Sequence, residues 1–217
     1  MRRLRAVSGV RRQMVHLVMR GSGRSTPFAR ALWAVYPCVY DHIWDNALTH
    51  SIANAVVSEL PEALPVEEVG AGTGLFTQRI VNAGLTLTTS SEPNLRMRER
   101  LRRRLPSIAV ADANLETLSP DRPEPCSVVA ANVVHLTVDP MAAIATLRRR
   151  ATRGGRVIVV TPSPEAALST IARAMRRCGA SRLIVLRFLA LHVLLGPSPV
   201  GIVLAVSNLF AVRRVRR

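Results

Sequence analysis

The residue types with the most chemical content lie in one run, Val66-Glu67-Glu68-Val69-Gly70-Ala71-Gly72-Thr73-Gly74. An apolar and acidic lead-in is followed by three glycines spaced at two. Leu75-Phe76-Thr77-Gln78-Arg79-Ile80 then reads as a helix start. Strand, tight glycine turn and helix in that order let a ligand lie against bare backbone at a helix N-terminus. The spacing departs from the dinucleotide fingerprint G-x-G-x-x-G, whose third glycine would fall at Leu75. A second candidate is Glu92, at the end of the alternating, β-branched run Leu85 to Ser91. A carboxylate at the tip of a strand can accept both hydroxyls of a ribose. It also suits the N-cap region of a helix over Leu95 to Leu105, where an acid is favourable. The two roles are compatible.

The elements that must position these residues repeat along the chain. Ile108-Ala109-Val110-Ala111 leads to Asp112, Ala113 and Asn114. Ser127-Val128-Val129-Ala130-Ala131 leads to Asn132 and His135, and Arg153-Gly154-Gly155 leads to Val157-Ile158-Val159-Val160. Strands alternating with helical stretches predict a parallel sheet covered on both faces. A chain of 217 residues supports one sizeable domain with a real core.

The pattern Glu68-x-Gly70-x-Gly72-x-Gly74 resembles the first motif of class I S-adenosylmethionine (SAM)-dependent methyltransferases. The likeness extends over residues 36 to 162 in the family's order and spacing, including the run N-x-x-H-x-x-x-D-P from Asn132 to Pro140. It implies an α/β, Rossmann-like fold with a mostly parallel seven-stranded sheet flanked by helices, and SAM as cofactor. It implies cofactor contacts at Glu68, Gly70, Ala71, Gly72, Thr73, Gly74, Glu92, Pro93, Asp112, Ala113 and Asn132. The Asp112-Ala113 pair corresponds to the family's pair that holds the adenine amino group; read alone, Asp112 is a surface turn acid. Ser127 departs from the acid that many relatives carry there.

Tyr36-Pro37-Cys38-Val39-Tyr40-Asp41 resembles the "YD" opening of ubiquinone/menaquinone- and phospholipid-type methyltransferases, where this segment lids the cofactor and shapes the acceptor site. Tyr40 is the expected lid residue. Trp33, Tyr36, Tyr40 and Trp44 hold all the chain's tryptophans and tyrosines, and packing of an N-terminal helix on the sheet is the alternative reading. A sulfonium methyl is already activated, so positioning can supply most of the acceleration. His135, just past the fourth strand, is the candidate general base for an acceptor that arrives protonated; a packed structural histidine is its alternative. His42 and His50 are weaker candidates, and His16 and His192 look incidental. No paired carboxylates, Cys/His metal cluster or Ser/His/Asp elbow competes, and no metal is expected.

Residues 1–27 form a basic amphipathic or disordered extension. Residues 28–217 form the methyltransferase domain: an aromatic helical lid (28–62), a cofactor-binding core (63–162) and an apolar C-terminal part (163–217). The net charge is +16, and all 30 basic residues are Arg. Residues 1–40 and 166–217 carry eight and nine Arg and no acid. Basic termini suggest an anionic partner, with a membrane surface favoured over nucleic acid. Leu183 to Leu195 and Val200 to Val212 are apolar on either side of Gly196-Pro197-Ser198-Pro199, each too short to span a bilayer alone. The expected arrangement is a helix over the sheet and then closing antiparallel strands, with interfacial insertion as the alternative. Three scattered cysteines, Cys38, Cys126 and Cys178, read as buried fillers in a reducing cytoplasm. The expected activity is methyl transfer to a small or lipophilic acceptor, such as a natural product, quinone or phospholipid headgroup. An RNA methyltransferase is an alternative, although Val133-Val134 follow Asn132 where a Pro-Pro-aromatic run would stack a base. A non-catalytic partner that keeps the fold is the other.

Overall fold

The computed structural model describes residues 27–119, 126–161, 168–195 and 213–214. The N-terminal extension and the second apolar stretch, residues 196–212, lie outside the described residues. Two helices come first: α1 (Pro27–Trp44) and α2 (Ala47–Ser58). Asn46 separates them by capping α2, its side chain accepting from the Leu48 and Thr49 amides. The core then alternates β1 (Val66–Val69), α3 (Leu75–Asn82), β2 (Leu87–Ser91), α4 (Leu95–Arg104) and β3 (Val110–Ala111). It continues with β4 (Ser127–Ala131), a short 3-10 turn (Val134–Leu136), α5 (Pro140–Arg150) and β5 (Val157–Val160). Helices α6 (Leu168–Arg177) and α7 (Arg182–Leu195) and the two-residue strand β6 (Arg213–Arg214) complete it.

The strands lie in the order β3-β2-β1-β4-β5-β6. The first five pair in parallel, and β6 runs antiparallel to β5. The expected closing antiparallel strand is therefore present, whereas the helix over Leu183 to Leu195 packs on α1 and α6 and not on the sheet. The sheet has six strands among the described residues, against the seven expected.

Side chains alternate between the two faces. Val66, Val129, Ile158 and Val160 pack with Val56 of α2 and Phe76 and Ile80 of α3. Val69, Val128, Ala130, Val157 and Val159 pack with Ala143 and Leu147 of α5. A third cluster joins Tyr36, Ile43 and Trp44 of α1 to Ile171 and Met175 of α6 and Val185 and Phe188 of α7. The aromatic segment thus packs on the C-terminal helices and not on the sheet. The rings meet edge-on: Tyr36 and Tyr40 centroids are 5.5 Å apart, and Trp44 and Phe188 5.9 Å. The Trp44 indole N–H donates to the Tyr36 hydroxyl at 2.9 Å. Of the three cysteines, Cys126 alone is a buried filler; Cys38 is exposed and Cys178 half-buried.

Candidate active site

Chain order reverses across the neighbours β1 and β4, so a crevice opens at their C-terminal ends. Gly70 follows β1 there, and Asn132 follows β4. The glycines do different work. Gly70 has φ +73°, and a Cβ on it would lie 2.9 Å from the Val133 side chain. Its amide and that of Ala71 donate to the Ser91 carbonyl at 2.8 and 2.9 Å, tying the tips of β1 and β2 together. Gly70 is therefore needed for packing. Gly72 (φ +60°) faces open space: a Cβ there would meet nothing closer than the Tyr40 hydroxyl at 3.9 Å. Gly74 (φ +90°) starts α3, with no side-chain cap over its first turn.

Glu92 is buried at the tip of β2. Its Oε2 accepts from the Gly72 amide and its Oε1 from the Asn94 amide, both at 2.8 Å. Burial raises its pKa, opposed by the two amides and by Arg98. Asn94 itself caps α4 through the amides of Arg96 and Met97. Each carboxylate oxygen keeps capacity for a further donor. Asn132 takes a positive φ of 58°, rare outside glycine. Its Oδ1, and the Ser91 Oγ at the end of β2, are buried without a partner.

The remaining expected residues divide. Pro93 is exposed and Ala113 half-buried, on the loops after β2 and β3. Asp112 has a 68% exposed side chain and is held by Arg98 at 2.9 Å. Arg98 also donates to the carbonyls of Glu92 (2.6 Å) and Pro93 (3.2 Å), so it ties both loops together. The sequence reading missed Arg98; the available signal was an Arg on the same α4 face as Met97 and Leu101. Glu68 accepts from Thr77 Oγ1 at 2.6 Å and Ser90 Oγ at 3.4 Å. Burial pushes its carboxyl up to about 7. It braces β1, α3 and β2 beneath the turn. Thr73 is fully buried and donates its hydroxyl to Asp41 Oδ1 of α1. Asp41 was also missed, although it is the acid of the Tyr40-Asp41 pair.

Tyr40 is half-buried above Gly72. Burial first, then Tyr36 and the carboxylates of Glu92, Asp41 and Glu68, push its phenol up, so it stays protonated near neutral pH. His135 falls in the 3-10 turn after β4, and its side chain lies outside the described residues. His42 is exposed, and His50 contacts Asp45 at 2.7 Å away from the crevice. The start of β4 tolerates Ser127 because its hydroxyl accepts from the Arg156 amide at 3.1 Å.

Residues 68–159 match a family model described as methyltransferase domain. Residues 68–159 thus carry a methyltransferase domain, and the fold around them is similar to that of class I SAM-dependent methyltransferases. Solved structures share its fold. One is a Thermotoga maritima SAM-dependent methyltransferase, a possible histamine N-methyltransferase: 23% identity, 68% of this chain and 80% of that one, TM-score 0.50. Another is the plantazolicin methyltransferase BpumL, in complex with a desmethyl-plantazolicin analogue and S-adenosylhomocysteine (SAH): 10% identity, 91% and 72%, TM-score 0.53. A third is a putative methyltransferase of antibiotic biosynthesis from Anabaena variabilis: 23% identity, 54% and 47%, TM-score 0.46. The methyltransferase domain spans about half the length of that last protein. No curated protein matches the chain.

SAM is the cofactor of this class, and the crevice fits it on three observations. The backbone is bare at Gly72, the Glu92 carboxylate is held ready by two amides, and Asn132 Oδ1 is a buried acceptor without a donor.

Proposed function

We propose that this methyltransferase domain methylates a small, lipophilic acceptor at the C-terminal ends of β1 and β4. The observation that carries this reading is the aromatic roof. Tyr40 stands over the bare backbone of Gly72 and is backed by Tyr36, Trp44 and Phe188. Such a roof excludes water from the crevice and offers flat apolar surface to an acceptor. The fold relatives named for histamine and complexed with a plantazolicin analogue are in keeping with a small acceptor.

The residues take the following roles. Glu92 accepts from the ribose hydroxyls. Gly70, Ala71, Gly72, Thr73 and Gly74 form the turn beneath, with Glu68 bracing it from below. Pro93, Asp112 and Ala113 border the adenine end, where Arg98 fixes Asp112, and Asn132 offers Oδ1 to an amino group. When bound, SAM supplies an electrophilic methyl group on a sulfonium. Tyr40, protonated, acts as lid and hydrogen-bond donor and not as a base. His135 takes the proton of an acceptor that arrives protonated.

Calorimetric titration with SAM and SAH tests the site. Micromolar binding is expected, followed by methylation of lipophilic acceptors seen by mass spectrometry as a gain of one methyl group. Folded protein that binds neither ligand would overturn the reading.

A membrane-surface location for the acceptor has one specific observation in its favour. Leu183 and Leu186 are 56% and 61% exposed on α7, between the exposed Arg182 and Arg187. No described helix is long and apolar enough to cross a membrane. Co-sedimentation with anionic but not neutral vesicles is the expected result, and equal partitioning to both would remove the idea.

A further inference from the structure

Asp41 links three elements that sequence order keeps far apart. Its Oδ1 accepts from Thr73 Oγ1 in the glycine turn. Its Oδ2 accepts from Arg104 Nη2 at 3.0 Å, with Arg100 Nη1 at 3.6 Å, both on α4. Thr73 has no exposed surface, and about a fifth of the Asp41 and Arg104 side chains is exposed. The contact is therefore shielded, and an ionised acceptor makes the Thr73 bond stronger than a neutral one. Asp41 sits next to Tyr40, whose hydroxyl roofs Gly72, and Gly72 and Thr73 are consecutive in the turn. One carboxylate on the lid helix thus grips the residue beside the bare backbone that the cofactor must lie on.

We infer that Asp41 is a latch coupling closure of the aromatic lid to the conformation of the cofactor turn. With the latch made, α1 is held over Gly72 and the turn is held in its positive-φ form. With it broken, Tyr40 leaves the roof and the turn loses a constraint. Cofactor affinity and lid closure then change together, because the apparent affinity of a ligand that needs the closed form is its intrinsic affinity times the fraction of chains that are closed. Asp41 is a positioning residue and touches no reacting atom. The cofactor half of this inference rests on the proposed function; the lid half does not.

The test uses the full chain with Asp41→Ala, Thr73→Val, the double variant and Thr73→Ser. Hydrogen exchange without ligand reads the lid. Residues 36–44 are expected to exchange roughly tenfold faster in Asp41→Ala and Thr73→Val, the size of one lost hydrogen bond to a charged group. Residues 140–150 serve as the internal control for global folding and should not change. Calorimetry with SAH reads the coupling, with Kd expected to rise about tenfold in each single variant. The double variant should be no worse than the worse single one, and Thr73→Ser, which keeps the hydroxyl, should restore both readouts. Unchanged exchange over 36–44 in both single variants overturns the latch. Faster exchange with unaltered SAH affinity overturns the coupling. A wild-type chain that binds no SAH sinks the reading of the site, while the exchange arm still decides the latch.

Discussion

Glu67 and Glu68 are neighbours on β1, both almost completely buried, and they face opposite sides of the sheet. Glu67 lies on the α5 side and meets a cation: Arg150 Nη2 at 2.5 Å and Nε at 2.8 Å. A third Arg150 donor reaches the Ser119 carbonyl. Charge is neutralised and the arrangement is closed. Glu68 lies on the other side and meets only hydroxyls among its hydrogen-bond partners, with Glu92 close enough to oppose its ionisation. A buried carboxyl without a cation avoids charge by holding its proton. The two acids show what separates architecture from a working site. The ion pair fastens the sheet to a helix remote from the crevice. The uncompensated acid sits below the glycine turn, where its hydroxyl partners tie β1 to α3 and β2.

Breaking the closed side should give the largest effect. Arg150→Ala strands a buried carboxylate and is expected to destabilise the chain by about 3–5 kcal/mol, read by urea unfolding. Replacing both partners, Glu67→Leu with Arg150→Met, should recover most of that loss; a double variant as unstable as the single one would contradict the pairing argument. On the open side, Glu92→Ala removes the acceptor for the Gly72 and Asn94 amides and for the ribose. SAH affinity should fall roughly hundredfold, a loss of two charge-assisted bonds, with thermal stability changed far less. If that variant binds SAH like the parent, the ribose assignment is wrong.

Glu68→Gln sharpens the contrast through pH. The Glu68 carboxyl titrates at about 7 in the folded chain, up from 4.5. Between those values the folded state binds more protons than the unfolded one, so Glu68 costs stability as pH rises and the loss levels off above about 7. The variant should flatten this slope and be more stable than the parent at pH 8 by about 1–3 kcal/mol, while near pH 4 the two should converge. Parallel stability curves from pH 4 to 8 would refute the raised value. The smallest effect belongs to Asp139, the N-cap of α5, whose side chain accepts from the Met141 and Ala142 amides. Asp139→Ala should cost about 1 kcal/mol on the Arg150 side and leave SAH affinity untouched.

Much of this was legible because short-range rules govern it. Glycines at 70, 72 and 74 announce positive φ, and all three adopt it. The helix N-cap region read before Leu95 is where Asn94 caps α4. Runs of four apolar residues became β4 and β5 at the places where they occur, and Val66-Glu67-Glu68-Val69, read from the glycine turn that follows it, became β1. Asp41, Arg98 and Arg150 were not legible in the same way. Arg98 and Arg150 are two of 30 Arg, and nothing local distinguishes these or Asp41 as the ones that fold inward. Asp41 and Thr73 are 32 positions apart, and Glu67 and Arg150 83.

Local spacing by itself determined the strand–turn–helix at Glu68 to Ile80, the acid at the tip of β2 and the alternation that makes a parallel sheet, since backbone sterics and periodicity act over a few residues. The tertiary structure alone decided which glycine is packed and which is bare, and that Thr73 turns to the lid. It also decided that the aromatics cover the crevice from a platform of C-terminal helices. Those outcomes depend on which distant side chain arrives within bonding reach, and that distance is set by the packed fold as a whole.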